Sequence, residues 1–228
     1  MPLVLIAAHN ISKRYDDGPI PVNVLVDANV SFNEGEVVGI FGASGAGKST
    51  LLHLLGGLDR PTKGEVFFEG QSLSQLSDRA LATLRNRSVG FVFQFYHLLS
   101  ELTARENVMI PCLLAGCSSS EARERADLAL TSLGLSSRAD HHPGLLSGGE
   151  QQRVAIARAV VMRPKVIFAD EPTGNLDRHT GDEVWKTIMT LAREYHMGLV
   201  VVSHNQELLA TLPRTLELKD GRLVEAIS

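Results

Sequence analysis

VVGIFGASGAGKSTLLHLL, residues 37–55, decides the fold. Val37–Phe41 is a short β-prone apolar run, the pattern of a strand buried on both faces. The loop GASGAGKS, residues 42–49, follows without a gap and matches G-x-x-x-x-G-K-[ST]. From Lys48 the run KSTLLHLL reads as a helix, closed by Gly56 and Gly57. Strand, glycine turn and helix together are the context in which this spacing carries chemistry. Across Gly42, Ala43, Ser44, Gly45, Ala46 and Gly47 the backbone can turn tightly, so that successive N–H groups face one concave anion site. The helix start adds roughly half a positive charge. Lys48 can reach the terminal phosphates of a nucleoside triphosphate. Ser49, with Thr50 beside it, can hold Mg²⁺ through its hydroxyl.

Working outward, the next informative stretch is VIFADE. Residues 166–169 are a fully apolar strand, and Asp170 and Glu171 stand just beyond it. Ligands in open α/β sheets bind at that edge. Asp170 is placed as a Mg²⁺ partner, and Glu171 can orient or deprotonate an attacking water. Two acids after a strand are ordinarily solvated charge; beside a complete phosphate loop they point to hydrolysis of ATP. Further strands are expected at 65–68 before a Glu69-Gly70 turn, at 89–93 and at 199–202, with a hairpin at Asp220-Gly221. Thr103 with Glu106, Ser118 with Glu121 and Thr180 with Glu183 have capping-box spacing and open three helices. The second runs to Gly134 and carries a Glu121–Arg125 pair four residues apart; the third ends near Tyr195. Residues 150–161 are helical again and stop before Pro164. Strands alternating with helices give an α/β fold with a parallel sheet. The helix-rich stretch 97–158 interrupts that alternation and reads as an inserted subdomain.

Composition narrows the class. The 228 residues carry 22 Lys+Arg against 26 Asp+Glu, a formal charge of −4, with 44% hydrophobic and 21% charged residues. Such a chain buries a real core and is not disordered. It lacks the basic excess of a general nucleic-acid binder. No apolar run approaches the roughly 18 residues of a membrane span. Residues 1–8 have no leading Lys or Arg, so the expectation is a chain that stays in the cytoplasm. Cys112 and Cys117, in C-x₄-C spacing, fit neither a zinc knuckle nor a redox pair, and read as buried or half-buried free thiols. His141-His142 lacks further clustered ligands, so it is not read as a metal site. The arginines of 123–138 alternate with acids along a solvated helix face. Trp185 sits among Val184, Ile188 and Leu191 as packing.

LSGGEQQR, residues 146–153, narrows the class further. It resembles the signature motif of the ATP-binding-cassette (ABC) ATPases, and physically it is a second phosphate device, a serine hydroxyl and glycine N–H groups at a helix start. The resemblance implies a P-loop NTPase core of the ABC type over 1–96 and 159–228, with an antiparallel β subdomain, and an inserted helical subdomain over 97–158. It implies that two copies pair head to tail, ATP lying between the loop of one and Ser147, Gly148 and Gly149 of the other. Gln94 falls where that family has its Q-loop glutamine, near Mg²⁺ and the water. His204 matches the switch histidine expected at the γ-phosphate, Asn175-Leu176-Asp177 the D-loop, and Tyr15 the aromatic that stacks on adenine. The set expected at the reaction is thus Lys48, Gln94, Glu171 and His204, with Ser49, Gln94 and Asp170 around Mg²⁺.

HLLGGLD and QFYHLL go one step further: TLLHLLGGLD at 50–59, FQFYHLL at 93–99 and residues 169–177 resemble the ATPase subunits of bacterial lipoprotein-releasing transporters. That resemblance implies a peripheral protein on the cytoplasmic face of the inner membrane, bound to two membrane-spanning subunits and not itself inserted. Ser203-His204-Asn205 stands where the family usually has Thr-His-Asp, and Tyr96 where this group tends to have a second His. Macrolide exporters and a cell-division ABC complex are the neighbouring alternatives. A soluble ABC ATPase acting on DNA or ribosomes is an alternative of another class. It calls for a long coiled coil or two cassettes in one chain, neither of which this sequence has. A P-loop metabolite kinase would leave LSGGEQQR and His204 without a role.

Overall fold

The chain divides into two units, residues 1–82 with 198–228 and residues 83–197. The computed structural model describes residues 3–16 and 21–225, Gln206 by its backbone alone.

In chain order the first unit begins with two long strands, β1 (Val4–Tyr15) and β2 (Val22–Asn33), paired antiparallel. Next come β3 (Val37–Phe41), α1 (Lys48–Leu55), β4 (Lys63–Phe68) and β5 (Gln71–Ser72). β4 pairs on the other edge of β1 and β5 follows it, giving the sheet order β2-β1-β4-β5. These four strands are the antiparallel β part of the fold. The register of β1 on β2 shifts four times, so extra residues twist the ribbon and break strict alternation. The inward side is nonetheless continuous: Ile6, Ala8, Ile11, Leu25, Ala28 and Phe32 are all buried.

α2 (Asp78–Ser88) leads into the second unit, where β6 (Val89–Phe93) pairs in parallel with β7 (Val166–Asp170). Between these strands run α3 (Ala104–Leu114), α4 (Ser119–Ser132) and α5 (Gly148–Val160), and α6 (Arg178–Glu194) follows β7. Val108, Ala122, Ala126, Leu130, Val154 and Ile156 are sealed from solvent. Burying each large aliphatic among them contributes about 1.5–3 kcal/mol. A Cβ on Gly90 would lie 2.6 Å from the Ala159 carbonyl oxygen, so α5 approaches β6 at a distance that only glycine allows.

The chain then returns to the first unit with β8 (Gly198–Val202), α7 (Gln206–Leu209), β9 (Arg214–Lys219) and β10 (Arg222–Glu225). β3 lies between β8 and β9, parallel to both, and β10 folds back antiparallel on β9 through the Asp220-Gly221 turn. β8 is buried along its whole length, as its unbroken apolar run requires. Arg214 fastens this end of the unit: its guanidinium donates to Glu36 Oε1 at 2.9 Å, to the Ser31 carbonyl at 2.9 Å and to Glu225 Oε1 at 2.7 Å.

One helix start and one capping box differ from the spacing argument. α6 begins at Arg178, capped by Asp177, whose Oδ1 accepts the Thr180 N–H at 3.1 Å; the Thr180–Glu183 pair lies inside the helix. An aspartate three residues before a free N–H is the stronger cap, so the start moves forward. At α4, Ser118 Oγ accepts from the Glu121 N–H at 3.2 Å, while the Glu121 carboxylate takes Arg125 at 2.7 Å. The ion pair replaces the second half of the box. At Thr103 and Glu106 both halves form.

Candidate functional site

In the first unit the parallel register Ile40↔Val202 brings the C-terminal ends of β3 and β8 to one edge. The Ser203 N–H donates to the Ile40 carbonyl at 3.1 Å, which sets exposed His204 on the edge from which the glycine loop departs. The loop is built for glycine at two points. A Cβ on Gly42 would meet the Leu218 carbonyl oxygen at 2.4 Å. Gly47, with φ +97°, is left-handed, and a Cβ there would meet Val24 Cγ1 at 2.5 Å. Gly45 is also left-handed at φ +77°, and alternating such residues turns backbone N–H groups toward one side. Lys48 opens α1, and its ammonium donates to the carbonyls of Gly42 at 2.9 Å and Ala43 at 3.0 Å, so the charge lies across the mouth of its own loop. Ser49 and Thr50 occupy the first turn behind it, held by the buried leucines 51, 52, 54 and 55.

Tyr15 is 36% exposed at the end of β1. Its hydroxyl donates to Asp59 Oδ2 at 3.1 Å, and Lys13 Nζ stands 4.9 Å from the ring centroid. Lys13 also pairs with Asp59 at 2.8 Å. Burial raises the Asp59 carboxyl, but hydrogen bonds from Lys13 and the Arg60 N–H, with the Lys13 charge, bring it below its ordinary value.

In the second unit β6 and β7 end together, Phe93 opposite Asp170, so Gln94 and the Asp170-Glu171 pair share an edge. Glu171 adopts φ +47°, a sharp departure from the strand line. Gln94 Nε2 donates to Asn175 Oδ1 at 3.1 Å, and Asn175 Nδ2 returns a bond to the Gln94 carbonyl at 2.8 Å. These reciprocal bonds tie together residues eighty-one positions apart. A Cβ on Gly174 would come within 3.0 Å of the Gln94 amide nitrogen.

α5 starts with a full capping box. Ser147 Oγ accepts the Glu150 N–H at 3.3 Å, and Glu150 Oε2 accepts the Ser147 N–H at 2.8 Å. Arg138 Nε donates to the other oxygen of Glu150 at 2.9 Å. The Ser147 N–H and then Arg138 pull the Glu150 carboxyl down to about 2 against the opposing effect of burial. Gly148 and Gly149 form the first turn. A Cβ on Gly148 would meet Tyr96 Oη at 3.1 Å, and one on Gly149 would meet Thr180 Cγ2 at 2.4 Å. The box consumes one backbone N–H of the first turn; the glycine N–H groups are the remaining helix-start donors.

Three supporting groups were not legible in motif spacing. Gln152 is buried on α5, and its Nε2 donates to the Pro172 carbonyl at 2.7 Å, next to Glu171. The Arg158 guanidinium donates to the carbonyls of Tyr96 at 2.8 Å and His97 at 2.6 Å, bracing two consecutive left-handed residues. Buried Asn107 accepts the Leu99 N–H at 2.8 Å and donates to the carbonyls of Leu99, Leu102 and Thr103. Each fixes a loop through contacts that no local pattern encodes. Among the described residues no three His, Cys, Asp or Glu side chains gather into a metal cluster, and no helix is long and apolar enough to cross a membrane.

Comparison with known proteins agrees with this arrangement. The family model described as ABC transporter matches residues 25–174. The chain is 52% identical over 220 residues, 96% of its length and 98% of the relative's, to the lipoprotein-releasing system ATP-binding protein LolD of Geobacter metallireducens. Two solved structures of the ATP-binding cassette MJ0796 are 39% identical. The first, a dimeric post-hydrolysis state bound to ADP and Pi, has a TM-score of 0.90 over 97% of this chain and 98% of that one. The second, a dimeric bacterial ABC transporter cassette, has a TM-score of 0.89 over 98% and 100%. With the family model over residues 25–174 and a 52% identical relative along nearly the whole chain, the chain belongs to the ABC transporter family of ATP-binding cassettes.

Proposed function

We propose that this protein is the ATP-hydrolysing subunit of a transport complex that releases lipoproteins from the bacterial inner membrane. The observation carrying this reading is the 52% identity to LolD along 96% of the chain. The local geometry supports the chemistry. Left-handed Gly45 and Gly47 turn the loop tightly, Gly42 and Gly47 pack too closely on Leu218 and Val24 to admit a side chain, and the Lys48 charge lies at the loop's mouth. That fits a triphosphate. Ser49, Gln94 and Asp170 are oxygen donors, the set that suits Mg²⁺, which would neutralise phosphate charge when bound.

Glu171 takes a proton from the attacking water as its oxygen approaches the γ-phosphorus. The bond to the β–γ bridging oxygen breaks, and ADP and phosphate leave. Lys48 and His204 balance charge on the transferring group, Gln94 orients the water, and Tyr15 stacks against the adenine. Ser147 and the N–H groups of Gly148 and Gly149 supply the remaining donors from a second copy, paired head to tail. Residues 97–158 form the helical subdomain that carries these donors. The subunit works peripherally on the cytoplasmic face, held by two membrane-spanning partners that bear the cargo site.

Affinity purification from native membranes tests the cargo. Recovery of membrane subunits that sort lipoproteins is expected. Recovery of a cell-division or antibiotic-export partner in their place overturns that reading and leaves the ATPase intact.

A further inference from the structure

The turn between α3 and α4 places the chain's two cysteines at special positions. α3 ends at Leu114, Ala115 is its C-cap, and Gly116 follows with φ +88°. The Cys117 N–H donates to the Cys112 carbonyl at 3.0 Å, and the Gly116 N–H to the Leu113 carbonyl at 3.0 Å. That pair of bonds is a Schellman motif, in which the residues three from the helix end and two beyond it bring their side chains together. Here those residues are Cys112 and Cys117. A 3.0 Å bond from one cysteine's nitrogen to the other's carbonyl oxygen limits the Cα separation to roughly 6.8 Å, inside the range that a disulfide spans. Cys112 is fully buried and Cys117 half-buried.

We propose that Cys112 and Cys117 form a reversible dithiol site that closes to an intramolecular disulfide by exchange with a low-molecular-weight disulfide such as oxidised glutathione. The accessible Cys117 thiolate attacks one sulfur of the small disulfide, forming a mixed disulfide and releasing one thiolate. The Cys112 thiolate then attacks the Cys117 sulfur and releases the second. Two protein thiols are oxidised, the small disulfide is reduced to two thiols, and the two cysteine protons pass to the released thiolates. Burial raises the Cys112 thiol, with Cys117 the next cause, which fits the order of attack. The C-x₄-C spacing is not that of a C-x-x-C motif; the glycine turn supplies the proximity. Closure would staple the end of α3 to Ser118, the cap of α4.

Folded full-length protein is equilibrated in oxidised and reduced glutathione at millimolar total, quenched by alkylation and digested with trypsin. Both cysteines then fall in the single peptide 106–123. The expected wild-type peptide is lighter by two hydrogens and exceeds the singly glutathionylated form by about tenfold or more, because thiols on one turn meet at high effective concentration. Cys112→Ala should hold one glutathionyl group at Cys117, and Cys117→Ser should leave Cys112 unmodified. Wild type that retains a glutathionyl group at Cys117 beside an alkylated Cys112 overturns the proposal. So does disulfide formation only between chains, or two thiols that stay free in excess oxidised glutathione.

Discussion

Replacing Glu150 by Ala should loosen the start of the signature helix by an amount that depends on pH. The carboxylate accepts the Ser147 N–H at 2.8 Å and Arg138 Nε at 2.9 Å, and its side chain is 19% exposed. The fall from 4.5 to about 2 corresponds at face value to about 3 kcal/mol. Arg138 is itself nearly half exposed, so water screens the pair, and the range for a lost cap, about 1–2 kcal/mol, is the better expectation. A carboxyl depressed in the folded state stabilises fully above its unfolded pKa. That contribution disappears as pH falls through the window from 4.5 to about 2. Native-state hydrogen exchange along α5 reads the effect. Glu150→Ala should lower protection about 5- to 30-fold at neutral pH, and the gap from wild type should shrink toward none as pH approaches 2. Glu150→Gln keeps an acceptor for the Ser147 N–H, so its smaller loss should reflect the missing charge alone. A protection gap independent of pH, or a Glu150 carboxyl that titrates in NMR at its ordinary value, refutes the reasoning.

Lys48→Ala removes the cation at the loop mouth and should weaken ATP binding about 10- to 100-fold, as a charged hydrogen bond of roughly 1.5–3 kcal/mol implies, measured by calorimetry. Glu171→Gln should bind ATP normally and hydrolyse it about 10²–10⁴-fold more slowly; undiminished turnover removes that carboxylate from the mechanism. Gly149→Ala drives a Cβ to 2.4 Å from Thr180 Cγ2 and should destabilise the second unit by about 1–3 kcal/mol in a denaturant titration. Thr180→Ser deletes the offending methyl, so the double variant should recover most of that loss.

What could be read from sequence follows burial. β3 and β7 were legible as strands because Val38–Ile40 and Val166–Ala169 are buried on both faces and lie in short β-prone runs with no polar residue until Asp170. β1 and β2 were not, since four register shifts scatter their buried residues off a period of two. The Gly42–Thr50 loop, Asp170-Glu171 and the Ser147 cap were legible because each is local chemistry at fixed spacing. The Asn175 grip on Gln94, the Arg158 brace under Tyr96 and His97, and the Asn107 hub join residues that only tertiary folding brings together. The start of α6 moved because Asp177 competes as a cap with Thr180, and spacing alone does not rank them. The Schellman turn was hidden for a related reason: C-x₄-C becomes a pair only once Gly116 turns left-handed.

In the proposed mechanism a hydrolytic site needs the glycine loop of one copy and the Ser147 cap of another. Steady-state turnover per chain, measured while the isolated subunit is diluted at saturating ATP and Mg²⁺, tests it most directly. Turnover per chain should rise in proportion to chain concentration when dilute and level off once pairs saturate. Turnover per chain that stays constant on dilution, down to concentrations where sedimentation finds only single copies, would contradict the account.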